Sequence, residues 1–143
     1  METALNNLPL KVLIIGNIKK GDAILMRKKF AGSKPYIETW YSFGCDFVSG
    51  EEPMTTFVNF IKTFVGINVA PVKYLFWDFE TKEDIDGVLK QFIYLDAEFE
   101  YVSGEVMVLE GLEKVEWITI SQLQNLDIVP PSVKLFKKLQ YLN

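Results

Sequence analysis

Residues 53–66 read PMTTFVNFIKTFVG, and the spacing of their apolar side chains decides how the rest of the chain is parsed. Phe57, Phe60, Ile61 and Phe64 recur at steps of three and four, which places them on one face of a helix over about 53–65. Pro53 suits the first turn and Gly66 suits the stop. Thr55, Thr56, Val58 and Thr63 are β-branched and lower the intrinsic propensity, so the helix is expected to depend on tertiary packing. Phe57, Phe60 and Phe64 are expected to fill core space.

Strand patterns stand on both sides of this helix. Val12 to Ile18 is an apolar run ending at Lys19-Lys20-Gly21-Asp22, and Ala23 to Phe30 follows, which reads as a hairpin. Gly32, Ser33 and Pro35 mark a loop, and Trp40 to Val48 extends again until Ser49 and Gly50. Beyond the helix, Ile67 to Phe79 is strand-like, with Pro71 marking an irregularity or an edge. The acidic stretch Thr81 to Gly87 turns the chain into Val88 to Phe99, a second and longer hairpin. Ser103-Gly104 turns it once more, and Glu105 to Leu109 and Val115 to Ile120 supply further strand. Ser121 with Gln124 matches a capping box ahead of a short helix over 122–125. Val133, Leu135, Phe136, Leu139 and Leu142 form a helical stripe after Pro130-Pro131. No repeat, linker or low-complexity tract divides the series. The expectation is one α+β domain over residues 1–143, with a mixed β-sheet and a packed C-terminal helix.

Composition narrows the function. The 143 residues are 49% apolar and 24% charged, with 11 Phe, 6 Tyr and 3 Trp that need a dense core, a greasy pocket or an interface. Fifteen basic against nineteen acidic residues leave a net charge of −4, and no basic block is long enough to track a nucleic-acid backbone. Two basic clusters, Arg27-Lys28-Lys29 and Lys134 with Lys137 and Lys138, read as solvated faces unless the fold unites them around a nucleotide phosphate. Histidine is absent, which removes imidazole as base or metal ligand. Cys45 is the single cysteine, so there is no intrachain disulfide and no zinc cluster. No segment approaches the roughly eighteen apolar residues of a membrane span, and no export signal opens the chain, so a cytoplasmic location is expected.

Several phrases resemble those of the Nudix hydrolases. Ile24-Leu25-Met26 before Arg27 looks like the strand that precedes the family's box and ends in its frequent arginine. WYSFGCDFVSGE, Trp40 to Glu51, is similar to the phrase in which tryptophan leads into Pro-Gly-Gly and then Gly-Glu. Glu116-Trp117-Ile118, Leu123 and Val129-Pro130-Pro131 resemble the closing strand and helix. The resemblance runs from about Lys11 to Leu142 and implies the Nudix fold, a mixed sheet sandwiched between helices.

The box itself is degenerate. It specifies glycine, glutamate, Arg-Glu, an apolar residue, Glu-Glu, and glycine followed by an apolar residue. Laid over Cys45 to Ile67, only Glu51, Ile61, Gly66 and Ile67 satisfy it. Cys45 replaces the first glycine, Asn59 and Phe60 replace Arg-Glu, and Thr63 and Phe64 replace Glu-Glu. In a working member, carboxylates at positions equivalent to 60, 63 and 64 share one helical face and hold Mg²⁺ or Mn²⁺ at a diphosphate. Phenylalanine supplies no oxygen ligand, and threonine supplies only a weak neutral one. The resemblance therefore implies that the standard metal-dependent hydrolysis is lost or very slow, and no catalytic residue is assigned.

Other candidates remain. Glu51 and Glu52, together with Glu105, which resembles an extra acidic residue outside the box, would form a rebuilt Mg²⁺ or Mn²⁺ site, although acids before a helix commonly serve its dipole. Arg27 is a phosphate candidate, while Tyr36, Trp40, Tyr41 and Trp77 with Phe76 are candidates to stack a base, each set against solvation or core packing. The acids Glu80, Glu83, Asp84 and Asp86 read as a solvated hairpin tip. Three functions fit these residues: a non-hydrolysing module that binds a nucleotide-like molecule or a protein partner, a divergent phosphohydrolase acting on a nucleoside diphosphate linked to another group, or a structural domain, with a homodimer built on the aromatic surplus.

Overall fold

The computed structural model describes residues 7–107 and 109–143. In chain order the elements are β1 (Leu10–Lys20), β2 (Ala23–Lys29), β3 (Trp40–Tyr41), β4 (Phe43–Asp46), α1 (Pro53–Phe64), β5 (Ile67–Glu83), β6 (Leu89–Gly104), β7 (Leu112–Thr119), a 3-10 helix over Ile120–Asn125, and α2 (Pro130–Lys138).

β1 and β2 form the first expected hairpin, turning through Gly21 at φ +61°. They pair only at Lys19↔Ile24 and Lys20↔Ala23 and then part. β3 continues on β2 at Arg27↔Tyr41, and β4 continues on β1 at Ile15↔Gly44 and Gly16↔Phe43. The other edge of β1 runs parallel to β6 from Leu10↔Gln91 to Lys19↔Glu100. β5 pairs antiparallel with β6, and β7 pairs antiparallel with β2. The result is a mixed sheet of order β3-β2-β1-β6-β5, with β4 on β1 and β7 on β2. A parallel pair cannot be closed by a tight turn, so the chain between β1 and β6 has to travel, and α1 lies on that path.

Strand alternation divides the core between two faces. Leu25 joins Ile14, Ile18, Phe57 and Ile61 in the cluster under α1, whereas Ile24 and Met26 join Trp40, Leu135 and Phe136 in the cluster under α2. The sheet therefore lies between helices, as the resemblance implied.

The helix over 53–64 forms where its spacing placed it, capped by the Glu52 carboxylate, which accepts from the Thr55 amide at 2.9 Å. Its buried face differs from expectation. Met54, Phe57 and Ile61 are buried and Val65 continues their line, but Phe60 is only partly buried and Phe64 is 54% exposed. The Phe57 ring lies on the backbone of Gly16 and stacks on Phe99 with centroids 4.5 Å apart. That contact turns the helix so that Phe60 and Phe64 fall on its flank.

Three further expectations change. Residues 105–107 form no strand, because the Met107 amide instead donates to the Val65 carbonyl at 2.9 Å where the helix ends; Val108 lies outside the described residues. Thr119, not Ser121, occupies the cap position of the 3-10 helix, with no side-chain cap, because the Ile120 amide donates to the Asp22 carbonyl at 2.9 Å. α2 stops before Leu142: Gln140 takes φ +63°, and the Tyr141 and Leu142 amides fold back to the Phe136 carbonyl. In the long hairpin, Pro71 sits at a register shift, as the missing N–H requires.

A methyl group on Gly16 would overlap the Phe57 ring. Gly16→Ala is therefore expected to cost about 1–3 kcal/mol in urea unfolding, the usual penalty of overpacking, and the cost should shrink in a Phe57→Leu background. A cost that is the same in both backgrounds would show that the notch does not seat the helix.

Candidate functional site

The face of β1 and β6 turned away from α1 is not fully covered, and a cavity of about 800 Å³ opens over it. The parallel register sets its floor. Lys11, Leu13 and Ile15 alternate onto it from β1, and opposite them Phe92, Tyr94 and Asp96 alternate onto it from β6. Arg27 and Lys29 enter from β2, where β2 has parted from β1, and Ser42, Gly44 and Cys45 enter from the β3–β4 segment that fills the gap. Val129, Ser132, Leu135 and Lys138 close the side at α2, and Phe60 and Phe64 border the cavity from α1.

The sequence candidates divide on this geometry. Arg27, Tyr36 and Tyr41 line the cavity, whereas Trp40 is 7% exposed in the α2 core and Trp77 is 64% exposed outside it. Adjacent residues on an extended chain point to opposite sides, so Trp40 cannot share the side of Tyr41. The same alternation splits the basic clusters. Arg27 and Lys29 face the cavity with Lys138, while Lys28 pairs outward with Glu113 at 2.9 Å, and neither Lys134 nor Lys137 lines it.

Several cavity cations already have partners. Lys11 Nζ pairs with Asp84 at 2.9 Å. Lys29 is buried, donates to the Ser33 and Tyr36 carbonyls, and has its pKa lowered by desolvation. Lys82 lies 2.9 Å from Glu80 and 4.2 Å from the Tyr36 ring centroid. Arg27 is different. Its guanidinium lies 4.1 Å from the Tyr41 ring centroid and 4.9 Å from that of Phe43, and its Nε donates to the Ser42 carbonyl at 3.3 Å. Among the described residues, no carboxylate forms a salt bridge with it. Its terminal nitrogens are a held, charged donor pair, the arrangement that suits a phosphate or carboxylate.

The hairpin acids are not all solvated. Glu80 accepts hydrogen bonds from Tyr36 and Tyr94 and pairs with Lys82; burial pushes its carboxyl up, but these donors outweigh that and hold it below the usual range. Asp84 takes both Lys90 at 2.8 Å and Lys11, and its carboxyl is held far below the usual range, first by the hydrogen bond from Lys90. The long β5–β6 pairing brings these acids back over β1, a contact that local sequence does not encode. Glu83 and Asp86 are exposed, as expected.

The residues at the box positions do not fit a divalent metal ion. Asn59 and Thr63 are exposed, Phe60 and Phe64 present rings to the cavity, and Cys45 is buried with its thiol pushed up to about 11, chiefly by desolvation. Glu51 accepts from Thr56 Oγ at 2.6 Å, Glu52 caps α1 and accepts from Tyr74, and Glu105 is exposed after β6. Among the described residues, no group of three or more Asp, Glu, His or Cys converges to hold a metal, and these three glutamates do not form one.

Asp96 was not singled out by its sequence context. The residue is 5% exposed at the cavity floor, and its carboxyl has no hydrogen-bond or salt-bridge partner among the described residues. Burial pushes it up to about 7, with Lys138 opposing and Asp78 adding to the shift. Its sequence gives no distinct signal, because Glu98 and Glu100 follow it at the same alternate positions of β6, and the register of β6 on β1 is what places Asp96 on the cavity floor. Because the folded state holds this proton up to about pH 7 and the unfolded chain releases it near pH 3.9, the group lowers stability progressively as pH rises between those values. The stability difference between Asp96→Asn and wild type should therefore grow in favour of the variant from pH 4 to 7 and level off above; urea midpoints across pH 4–8 would read it, and a flat difference would refute the burial effect.

No protein-family model and no curated protein matches this sequence. Solved structures do. The MutT protein from Methanosarcina mazei Go1 superposes with a TM-score of 0.73 at 13% identity, covering 94% of each chain. A MutT Nudix hydrolase from Burkholderia pseudomallei gives 0.72 at 17% identity over 91% of this chain and 98% of its own. A Nudix hydrolase from Nitrosomonas europaea gives 0.70 at 14% identity over 92% and 88%. Together with the mixed sheet between helices and the box helix in its expected place, these superpositions identify the fold of this divergent chain as the Nudix fold.

Proposed function

We propose that this chain is a nucleotide-binding module that holds a nucleoside phosphate, or a similar phosphate ester, without the metal-dependent hydrolysis usual for its fold. The observation that carries this reading is the composition of one cavity. Arg27 offers charged donors that no carboxylate among the described residues engages, Tyr36, Tyr41, Phe92 and Tyr94 supply aromatic surface beside it, and Phe60 and Phe64 stand where metal-binding carboxylates would be needed. A volume near 800 Å³ lies within the range of small-molecule sites, roughly 300–1,000 Å³. Anion binding at Arg27 needs no metal, because a bidentate guanidinium neutralises phosphate charge in a partly desolvated setting.

Product formation followed by mass spectrometry with Mg²⁺ or Mn²⁺, over dinucleotides, nucleotide sugars and nucleoside triphosphates, is expected to show no metal-dependent turnover. Calorimetry on the same compounds is expected to show binding. Arg27→Ala should weaken that binding at least about tenfold, the scale of one charge-assisted hydrogen bond, and Arg27→Lys should restore only part of it. Turnover abolished by Glu51→Ala/Glu52→Ala/Glu105→Ala would instead establish a rebuilt carboxylate site and the hydrolase alternative.

A specific feature favours protein contact as a second reading. β5 ends the sheet order, and Val72, Tyr74, Phe76, Trp77 and Phe79 are exposed along it. An edge strand with exposed apolar side chains is suited to pairing with another chain. Sedimentation at increasing concentration should show self-association that Trp77→Lys/Phe79→Lys removes; a monomer at all concentrations would exclude a homodimer on this edge.

A further inference from the structure

The nucleotide reading leaves open what the cavity floor recognises, and Asp96 supplies a constraint. Phe92, Tyr94 and Asp96 stand on one side of β6 at successive alternate positions, so two aromatic rings and one carboxyl share the floor. Phe92 and Tyr94 are nearly parallel, with centroids 6.2 Å apart and an interplanar angle of 21°. Leu135, Val129 and Pro131 supply apolar surface at the α2 side. Asp96 is 5% exposed as a residue and its carboxyl accepts from none of the described residues, whereas the cavity acids Asp78 and Asp84 have partners, Asp78 in Lys134 at 3.5 Å and Asp84 in Lys11 and Lys90. Lys138, the cation nearest in effect, lies 3.4 Å from the Trp77 carbonyl and forms no ion pair with Asp96.

A buried carboxyl without a partner costs stability, and the cost is recovered when donors reach it. Resting on the proposed nucleotide reading, we propose that Asp96 is the specificity-determining residue of the cavity and selects a planar heterocycle presenting two adjacent N–H donors, as the guanine edge does. An ionised carboxylate has two oxygens side by side and no hydrogen. It accepts both donors of a guanine-type edge, where N1–H and the 2-amino group project in parallel. The adenine edge presents one donor beside a ring-nitrogen acceptor, so a carboxylate meets it with one bond and one repulsion. The hypoxanthine edge keeps N1–H and lacks the amino group, so it makes one bond without that repulsion. A site with buried acceptors discriminates strongly, because the wrong ligand leaves an acceptor unpaired.

The groups that act on Asp96 also set a pH signature. Asp78 on β5 opposes its ionisation and Lys138 on α2 favours it, while on the floor itself Ile15 of β1 lies opposite and carries no charge. Binding of a two-donor edge requires the ionised form, so affinity should fall as pH drops below about 7, by as much as tenfold per unit. Loss of the carboxylate in Asp96→Asn should remove that dependence.

The experiment is calorimetric titration of the intact protein with GMP, IMP and AMP, which share ribose and phosphate and differ only in the base, at pH 8 and pH 6. Wild type is expected to bind in the order GMP, IMP, AMP, with steps on the order of tenfold for the hydrogen bond lost from GMP to IMP and for the repulsion added from IMP to AMP. Asp96→Asn, whose fold is checked by near-UV circular dichroism, is expected to lose the preference for GMP while retaining the phosphate-dependent part of the affinity. Equal affinity for the three nucleotides, or preference for AMP, would overturn the assignment of Asp96 and leave nucleotide binding standing. A GMP preference that persists in Asp96→Asn would also overturn it. No binding of any of the three, with Arg27→Ala indistinguishable from wild type, would overturn the nucleotide reading and this inference with it. The wild-type order tests the proposal even if the variant fails to fold.

Discussion

The seating of Phe57 on Gly16 is the contact on which the rest of the architecture depends. The glycine removes a side chain from β1, the phenylalanine ring enters the space, and Phe99 of β6 stacks on its other side. One ring thus ties α1 to both strands of the parallel pair, which is the pairing that local turns cannot provide. It also sets the rotation of α1 about its axis. With Phe57 down, Met54 and Ile61 are buried, Thr63 and Asn59 face solvent, and Phe60 and Phe64 lie toward the cavity.

That rotation gives the box substitutions their physical meaning. Had all three phenylalanines packed into the core, their presence would say only that the helix is apolar. Instead Phe60 and Phe64 offer aromatic surface to the cavity, on the flank of the helix that carries them. Several acids near the cavity are committed elsewhere: Glu52 to the helix terminus, Glu80 to two tyrosines and a lysine, and Asp84 to two lysines. Arg27, held against Tyr41 and Phe43 with no carboxylate partner among the described residues, and Asp96, a buried residue whose carboxyl has no donor among them, both face the cavity.

Much of the fold was legible because it is written in short-range periodicity. The first hairpin, the helix over 53–64, the Pro71 irregularity and the long β5–β6 hairpin follow from alternation, steps of three and four, and turn residues. The capping box at Ser121 was misleading because the helix starts earlier, where a backbone hydrogen bond from Ile120 to Asp22, distant in sequence, ties its first residue to the turn between β1 and β2. The strand expected over 105–109 failed at its start for a similar reason, its Met107 amide being taken by the end of α1.

Sequence by itself determined most of the elements, the absence of imidazole, and the lack of side-chain oxygen ligands at positions 60 and 64, because these depend on residue identity and on spacing within one element. Tertiary structure decided which candidates meet. It joined Arg27, Tyr36 and Tyr41, separated Trp40 and Trp77 from them, and brought Asp96 into the same cavity. The reason is that the cavity is assembled from the parallel register of β1 on β6 and from the parting of β1 and β2, both set by pairings between segments far apart in the chain. A side chain's face follows from its own strand, but what it faces is settled only when the strands are aligned.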